Sequence, residues 1–101
     1  MDISDCIGIL KALGEENRLQ LVRLLLAGPM GVNQLAAASG LSQYNTSKHL
    51  RTLREAGLVE HQKVGQMRLY HLSPELVSHL KKHRNTLDLG CCTFRFEEAP
   101  A

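Results

Sequence analysis

Val32-Asn33-Gln34-Leu35-Ala36-Ala37-Ala38-Ser39-Gly40-Leu41-Ser42-Gln43-Tyr44-Asn45-Thr46-Ser47-Lys48-His49-Leu50-Arg51-Thr52-Leu53-Arg54-Glu55-Ala56-Gly57 is the stretch on which the fold turns. A short helix over about Val32 to Ala38 ends at Ser39-Gly40. Ser42 then offers a hydroxyl N-cap to a longer helix running to Ala56, with Gly57 as its stop. Two helices joined by a tight, glycine-containing turn follow the helix-turn-helix plan. In the longer helix Thr46, Leu50 and Leu53 recur at i, i+4 and i+7, which predicts an inward face. The opposite side presents Tyr44, Lys48, Arg51 and Thr52, flanked by Asn45 and Ser47, with Gln43 in the first turn. Such hydrogen-bonding groups and cations can reach base edges and phosphates in a major groove. A merely solvated helix face is the plainer alternative. His49 leans inward, where packing and a local hydrogen bond are the simpler expectation. Glu55, one turn after Arg51, reads as its intrahelical partner.

Downstream, Leu58 to Gln62 and Arg68 to Leu72 predict two short strands. Lys63-Val64-Gly65-Gln66-Met67 forms the tip between them, Gly65 being free to take positive φ. Lys63 and Arg68 put cations on a projecting ribbon that could enter an adjacent minor groove. Charged edges also discourage sheet aggregation, and that is the competing account. Upstream, Ile3, Cys6, Ile7, Leu10 and Leu13 predict a first helix over about residues 3–13. Glu15 and Glu16 precede a second helix from Asn17 to Ala27, apolar on most sides and stopped by Gly28-Pro29. Ser73-Pro74 starts a fifth helix, expected to last until about Leu87. Asp88 to Ala101 shows no clear period, though Thr93 to Phe96 alternates. The expected fold is therefore mainly α with a small β-hairpin, a winged helix-turn-helix of order α-α-α-α-β-β-α. Residues 1–87 form the domain and residues 88–101 a tail.

The chain has 101 residues, room for one domain. Its core is small enough that a dimer interface would be a natural source of stability. Residues 42–85 carry eight basic and three acidic side chains, a balance of +5, and all five histidines. Residues 1–41 balance to −1 and residues 86–101 to −2. Positive charge confined to the middle suits a polyanion-binding element between scaffolds. Leu24-Leu25-Leu26-Ala27 is far short of the roughly 20 residues that cross a membrane. Asp2 and Asp5 sit where a secretory leader would be basic, so the cytoplasm is the expected compartment. No Ser/His/Asp arrangement, phosphate-cradling glycine loop or Cys-x-x-Cys is present, which argues against an enzyme or thiol carrier.

Four segments in order carry a resemblance. They are Ala12-Leu13-Gly14-Glu15-Glu16-Asn17-Arg18-Leu19, Gly28-Pro29-Met30-Gly31-Val32-Asn33-Gln34-Leu35-Ala36, Leu41 to Leu50, and Leu53-Arg54-Glu55-Ala56-Gly57-Leu58-Val59. Over about residues 8–85 the chain resembles the ArsR/SmtB family. The resemblance implies a homodimeric repressor of double-stranded operator DNA whose effector weakens binding. It also implies that Gln43, Ser47, Lys48 and His49 lie on the recognition helix, and that the first and last helices pair across the dimer. Two-fold symmetry would set half-sites about one helical turn apart, roughly 34–36 Å.

Three cysteines, Cys6, Cys91 and Cys92, are the candidate sensor. In a reducing compartment cysteine is more often metal-binding or redox-active than structural. Adjacent cysteines close only a strained disulfide, so Cys91-Cys92 suits a shared soft ion or a bond to another thiol. Trivalent arsenic or antimony takes three sulfurs, and Cys6 could supply the third. Oxidation or persulfidation of Cys91 or Cys92 is an alternative. Cys6 could equally be a small buried hydrophobe beside Ile3, Ile7 and Leu10, and Cys91-Cys92 could pack on Phe94 and Phe96. The family's Cys-Val-Cys sensor is missing; Met30-Gly31-Val32-Asn33 stands there, and the chain is similar to members with C-terminal cysteines. Zinc-type members place ligands on the last helix. Here His79 and His83 lie four apart with Glu75 one turn before, an alternative metal site without a clean Asp-x-His partner.

Overall fold

The computed structural model describes residues 6–96. Ile3, at the expected start of the first helix, lies outside them. Helices α1 (Cys6–Leu13) and α2 (Glu16–Leu25) are followed by a two-residue strand β1 (Met30–Gly31), then α3 (Val32–Ser39) and α4 (Gln43–Glu55). Strands β2 (Val59–Val64) and β3 (Met67–Leu72) form the hairpin, and α5 (Pro74–Lys82) follows. Two further strands, β4 (Thr86–Asp88) and β5 (Thr93–Arg95), pair as a separate hairpin.

The local chemistry accounts for these boundaries. Glu15, expected merely near the start of α2, is its N-cap: the carboxylate accepts the Arg18 N–H at 2.9 Å. Ser42 caps α4 by accepting the Asn45 N–H at 3.0 Å, and Ser73 caps α5 on the Leu76 N–H at 3.2 Å. Between α3 and α4 the chain reverses at Gly40, whose φ of +76° is a left-handed conformation costly for any residue with a Cβ. The wing turn is tighter than expected. Lys63, Val64 and Met67 belong to the strands, which leaves Gly65-Gln66 as the reversal, with Gly65 at φ +63°. β1 adds itself to β3 on the side away from β2, giving a three-stranded sheet of order β1-β3-β2.

One core serves the described chain. Leu13, Leu21, Val22, Leu35, Leu50, Leu53, Leu58, Val59, Leu76 and Leu80 meet in it, and each contributes to the hydrophobic burial that holds a small domain together. Thr46 is buried among them, its hydroxyl donating to the Ser42 carbonyl at 2.8 Å.

The end of the last helix departs from expectation. α5 stops at Lys82, five residues before Leu87. Arg84 and Asn85 adopt positive φ, 53° and 62°, and turn the chain back. Leu87 and Leu89 then enter the core from β4 and the residue after it, joined by Phe96. From Asp88 to Phe96 the chain, without a clear period in sequence beyond the alternation at Thr93 to Phe96, is thus packed, and that alternation holds the strand β5. Its loop needs Gly90 at φ +85°, with the Gly90 N–H held by the Asp88 carboxylate at 2.9 Å. Cys91 and Cys92 sit on this loop.

Candidate nucleic-acid interface and thiol cluster

Alternation of buried and exposed positions along α4 fixes its outward face. Thr46, Leu50 and Leu53 are the buried residues of this helix. Gln43, Tyr44, Asn45, Ser47, Lys48, Arg51 and Thr52 are exposed, Tyr44 at 72% of its surface. The Lys48 ammonium lies over the Tyr44 ring, 5.4 Å from its centroid, an arrangement that orders both side chains. Arg51 donates to Glu55 at 3.2 Å, and both are largely exposed, so the pair is readily exchanged for another anion.

The wing stands beside this helix. In its register Val59 faces Leu72, His61 faces Tyr70 and Lys63 faces Arg68. Alternation puts all six side chains on one face of the hairpin. Two cations opposed at its outer end repel each other and favour an anion between them. Arg68 also lines a groove of about 620 Å³ together with Gln43, Ser47, Asn33 and Gln34. Gln34 itself is fixed, its carbonyl oxygen accepting the Gly31 N–H at 2.9 Å. Of the recognition-helix and wing side chains expected from sequence, Gln43, Ser47 and Arg68 are brought to one cleft, whereas Tyr44, Asn45, Lys48, Arg51 and Lys63 do not line it.

His49 turns away from this face. Its Nδ1 lies 3.5 Å from Arg18 Nη1 and 3.7 Å from the Glu15 carboxylate. Arg18 in turn donates to the Ala12 carbonyl at 2.7 Å and the Lys11 carbonyl at 3.2 Å. The last carbonyls of α1, the cap of α2 and the middle of α4 are thereby tied together. Sequence reasoning placed His49 on the inner side but gave no hint of these partners, 31 residues or more away. Burial acts to raise the Glu15 carboxyl, but N–H donors from Arg18 and Asn17 and the charges of His49 and Arg18 outweigh it, so its pKa falls below the usual 4.5. A carboxylate depressed in the folded state stabilises fully above its unfolded pKa and loses that contribution as pH falls through the folded value. Glu15→Gln should therefore flatten the dependence of unfolding free energy on pH below about 4.5. Urea titrations of both proteins at successive pH values measure it; parallel slopes would contradict the assignment.

The sulfurs of Cys6, Cys91 and Cys92 lie within 4.8 Å of one another. Cys6 and Cys91 are joined as a disulfide with Cα atoms 6.3 Å apart, and Cys92 is the free thiol. Among the described residues this is the one group of three His, Cys or acidic side chains close enough to share an ion. His79 and His83 do meet, ring centroids 4.3 Å apart. However, His79 Nε2 accepts the Asp88 N–H at 3.1 Å, and Glu75 does not join them in a cluster of three. Burial first, then the His83 charge, pushes His79 below the ordinary histidine range.

The chain is similar to known proteins in sequence and in fold. Residues 15–61 match the family described as "Bacterial regulatory protein, arsR family". The arsenical resistance operon repressor of Staphylococcus xylosus is 30% identical over 94 residues, covering 90% of each chain. The chain belongs to the arsR family of bacterial regulatory proteins. Another relative is the transcriptional activator HlyU of Vibrio cholerae, 42% identical over 65 residues; the match takes in 64% of this chain and 60% of HlyU's length. Among solved structures, the homodimeric winged helix-turn-helix DNA-binding domain of Mb0332 from Mycobacterium bovis has a TM-score of 0.70 at 32% identity, covering 78% of this chain and 73% of that one. The arsR-family chain is accordingly a winged helix-turn-helix, and its relatives are transcriptional regulators rather than enzymes. No helix among its described residues is long and apolar enough to cross a membrane.

Proposed function

We propose that this arsR-family chain is a homodimeric repressor that binds double-stranded operator DNA and releases it when a thiophilic ion of the arsenite class occupies Cys6, Cys91 and Cys92. The convergence of three sulfurs within 4.8 Å carries the effector half of this reading. Trivalent arsenic or antimony is a soft centre that forms three bonds to sulfur, and the thiolates must be reduced to make them. The DNA half rests on the exposed face of Gln43, Tyr44, Asn45, Ser47, Lys48 and Arg51 beside wing residues Lys63 and Arg68. Pairing of two copies is supported by the homodimeric Mb0332 domain. The exposed apolar side chains Ile7 and Leu10 on α1 suit such a contact. A DNA-binding regulator would act in the cytoplasm.

A second reading has its own observation. Cys6 and Cys91 form a bridge, so oxidation of this pair, or sulfane-sulfur transfer to it, could be the signal instead. A zinc-type site at His79 and His83 has less in its favour, since His79 already accepts a backbone N–H.

Fluorescence anisotropy on labelled operator separates these readings. Under full reduction, arsenite should release the wild type, whereas Cys6→Ser, Cys91→Ser and Cys92→Ser should each respond at least roughly tenfold more weakly, which corresponds to about 1.4 kcal/mol of effector affinity. Release by polysulfide alone, retained in Cys92→Ser and lost in the other two, favours the bridge. Undiminished response to arsenite in all three variants eliminates the thiol cluster and turns attention to His79 and His83.

A further inference from the structure

The base of the wing holds an unusual meeting of donors. His61 stacks on Tyr70, ring centroids 5.1 Å apart and planes 12° from parallel, which fixes the imidazole plane. Arg54, at the C-terminal end of α4, places Nη1 on His61 Nε2, and Arg68 Nη1 stands 3.4 Å from His61 Nδ1. With a guanidinium at each ring nitrogen a second ring proton is disfavoured, which leaves the neutral ring with one proton; burial, then the charges of Arg54, Arg68 and His71, push the same way, below the ordinary histidine range.

A guanidinium can only donate. Arg54 therefore makes Nε2 the acceptor, and the single ring proton resides on Nδ1. There it faces another donor, Arg68. Two N–H groups thus converge with no acceptor between them. Among the described residues no carboxylate is paired with Arg54 or Arg68 to relieve the excess; Glu15 is turned to His49 and Glu55 to Arg51. Arg54 Nε is also buried without an acceptor, and Lys63 stands directly across from Arg68. Converging donors that lack an acceptor are what an oxyanion satisfies, with charge-assisted bonds stronger than neutral ones.

We propose that His61 Nδ1–H and Arg68 form a seat for one phosphate oxyanion, that Arg54 is the positioning residue that sets the His61 tautomer, and that the phosphate belongs to the backbone of bound duplex. The last part rests on the operator-binding reading. Arg68 connects the two, since it also lines the groove with Gln43 and Ser47. A bond to the phosphate backbone positions the protein without reading sequence, so removing it weakens specific and nonspecific duplexes alike.

Long-range nitrogen–proton NMR of the free protein reports the tautomer directly. The expected result is an Nδ1–H ring in the wild type that loses this preference in Arg54→Gln. Duplex binding by anisotropy then follows His61→Phe, which keeps the stack on Tyr70, and Arg68→Gln. Each should weaken operator and random duplex by roughly 5- to 10-fold. Only Arg68→Gln, which removes a full charge, should lower the salt slope, by about 1. An Nε2–H ring, or undiminished duplex affinity in both variants, overturns the seat while leaving the recognition helix untouched. Titration of inorganic phosphate onto the wild type provides the other arm. If no duplex binds at all yet phosphate shifts the His61 resonances, and does not in Arg68→Gln, the operator reading falls and the seat's assignment to duplex falls with it.

Discussion

Leu50→Ala is expected to destabilise the protein by about 3 kcal/mol, on the order of a hundredfold in the folding equilibrium. Leu50 is fully buried on the inner side of α4, against a core that gathers leucines from α2, α3 and α5. Truncation removes its apolar surface and leaves a cavity that flanking helices can only partly close. Tyr44→Ala on the same helix should change stability by no more than about 0.5 kcal/mol, because Tyr44 is 72% exposed. Urea unfolding of both variants at one protomer concentration tests the pair. Equal effects would mean that α4 does not have distinct inner and outer sides.

Lys48→Ala carries the largest expected effect on function: operator affinity should fall by about 10- to 100-fold with unfolding behaviour unchanged, the scale on which one wrong partner acts at a specific protein–DNA interface. Lys48 is exposed, and its ammonium is held over Tyr44 rather than by a carboxylate. No carboxylate has to be displaced before Lys48 meets a phosphate or a base. Arg51 differs, since it must first leave Glu55, and Arg51→Ala should cost less. Anisotropy on specific and random duplexes measures both. Unchanged affinity in Lys48→Ala would contradict the assignment of this face to DNA.

What could be read in the sequence was what short-range geometry controls. Thr46, Leu50 and Leu53 share a face because an α-helix repeats every 3.6 residues, and that repeat is visible in one chain. Ser42 and Ser73 announce helix starts because an N-cap acts within three residues, and both are caps here. The end of α5 was not legible for the same kind of reason. Leu76, Leu80 and Leu87 fit a helical spacing, while Leu87 and Leu89 fit a strand, and the left-handed residues that decide between them are Arg84 and Asn85, not glycines. The neighbours of His49 and His61 could not be read at all. They come from other elements, and tertiary partners leave no periodic trace. The three cysteines show the same divide: their number and kind are plain in the chain, but their assembly depends on the β4–β5 hairpin, whose residues carry too short a pattern to announce it.

Cys6 and Cys91 are 85 residues apart in sequence, so whatever joins them fastens one end of the described chain to the other. A fastening of that span makes the described chain nearly circular, and a circle has far fewer ways to unravel than an open string. On the proposed effector reading, sensing and durability would be governed by the same knot: a cell that floods this protein with its signal would also be lengthening the life of each molecule that has received it.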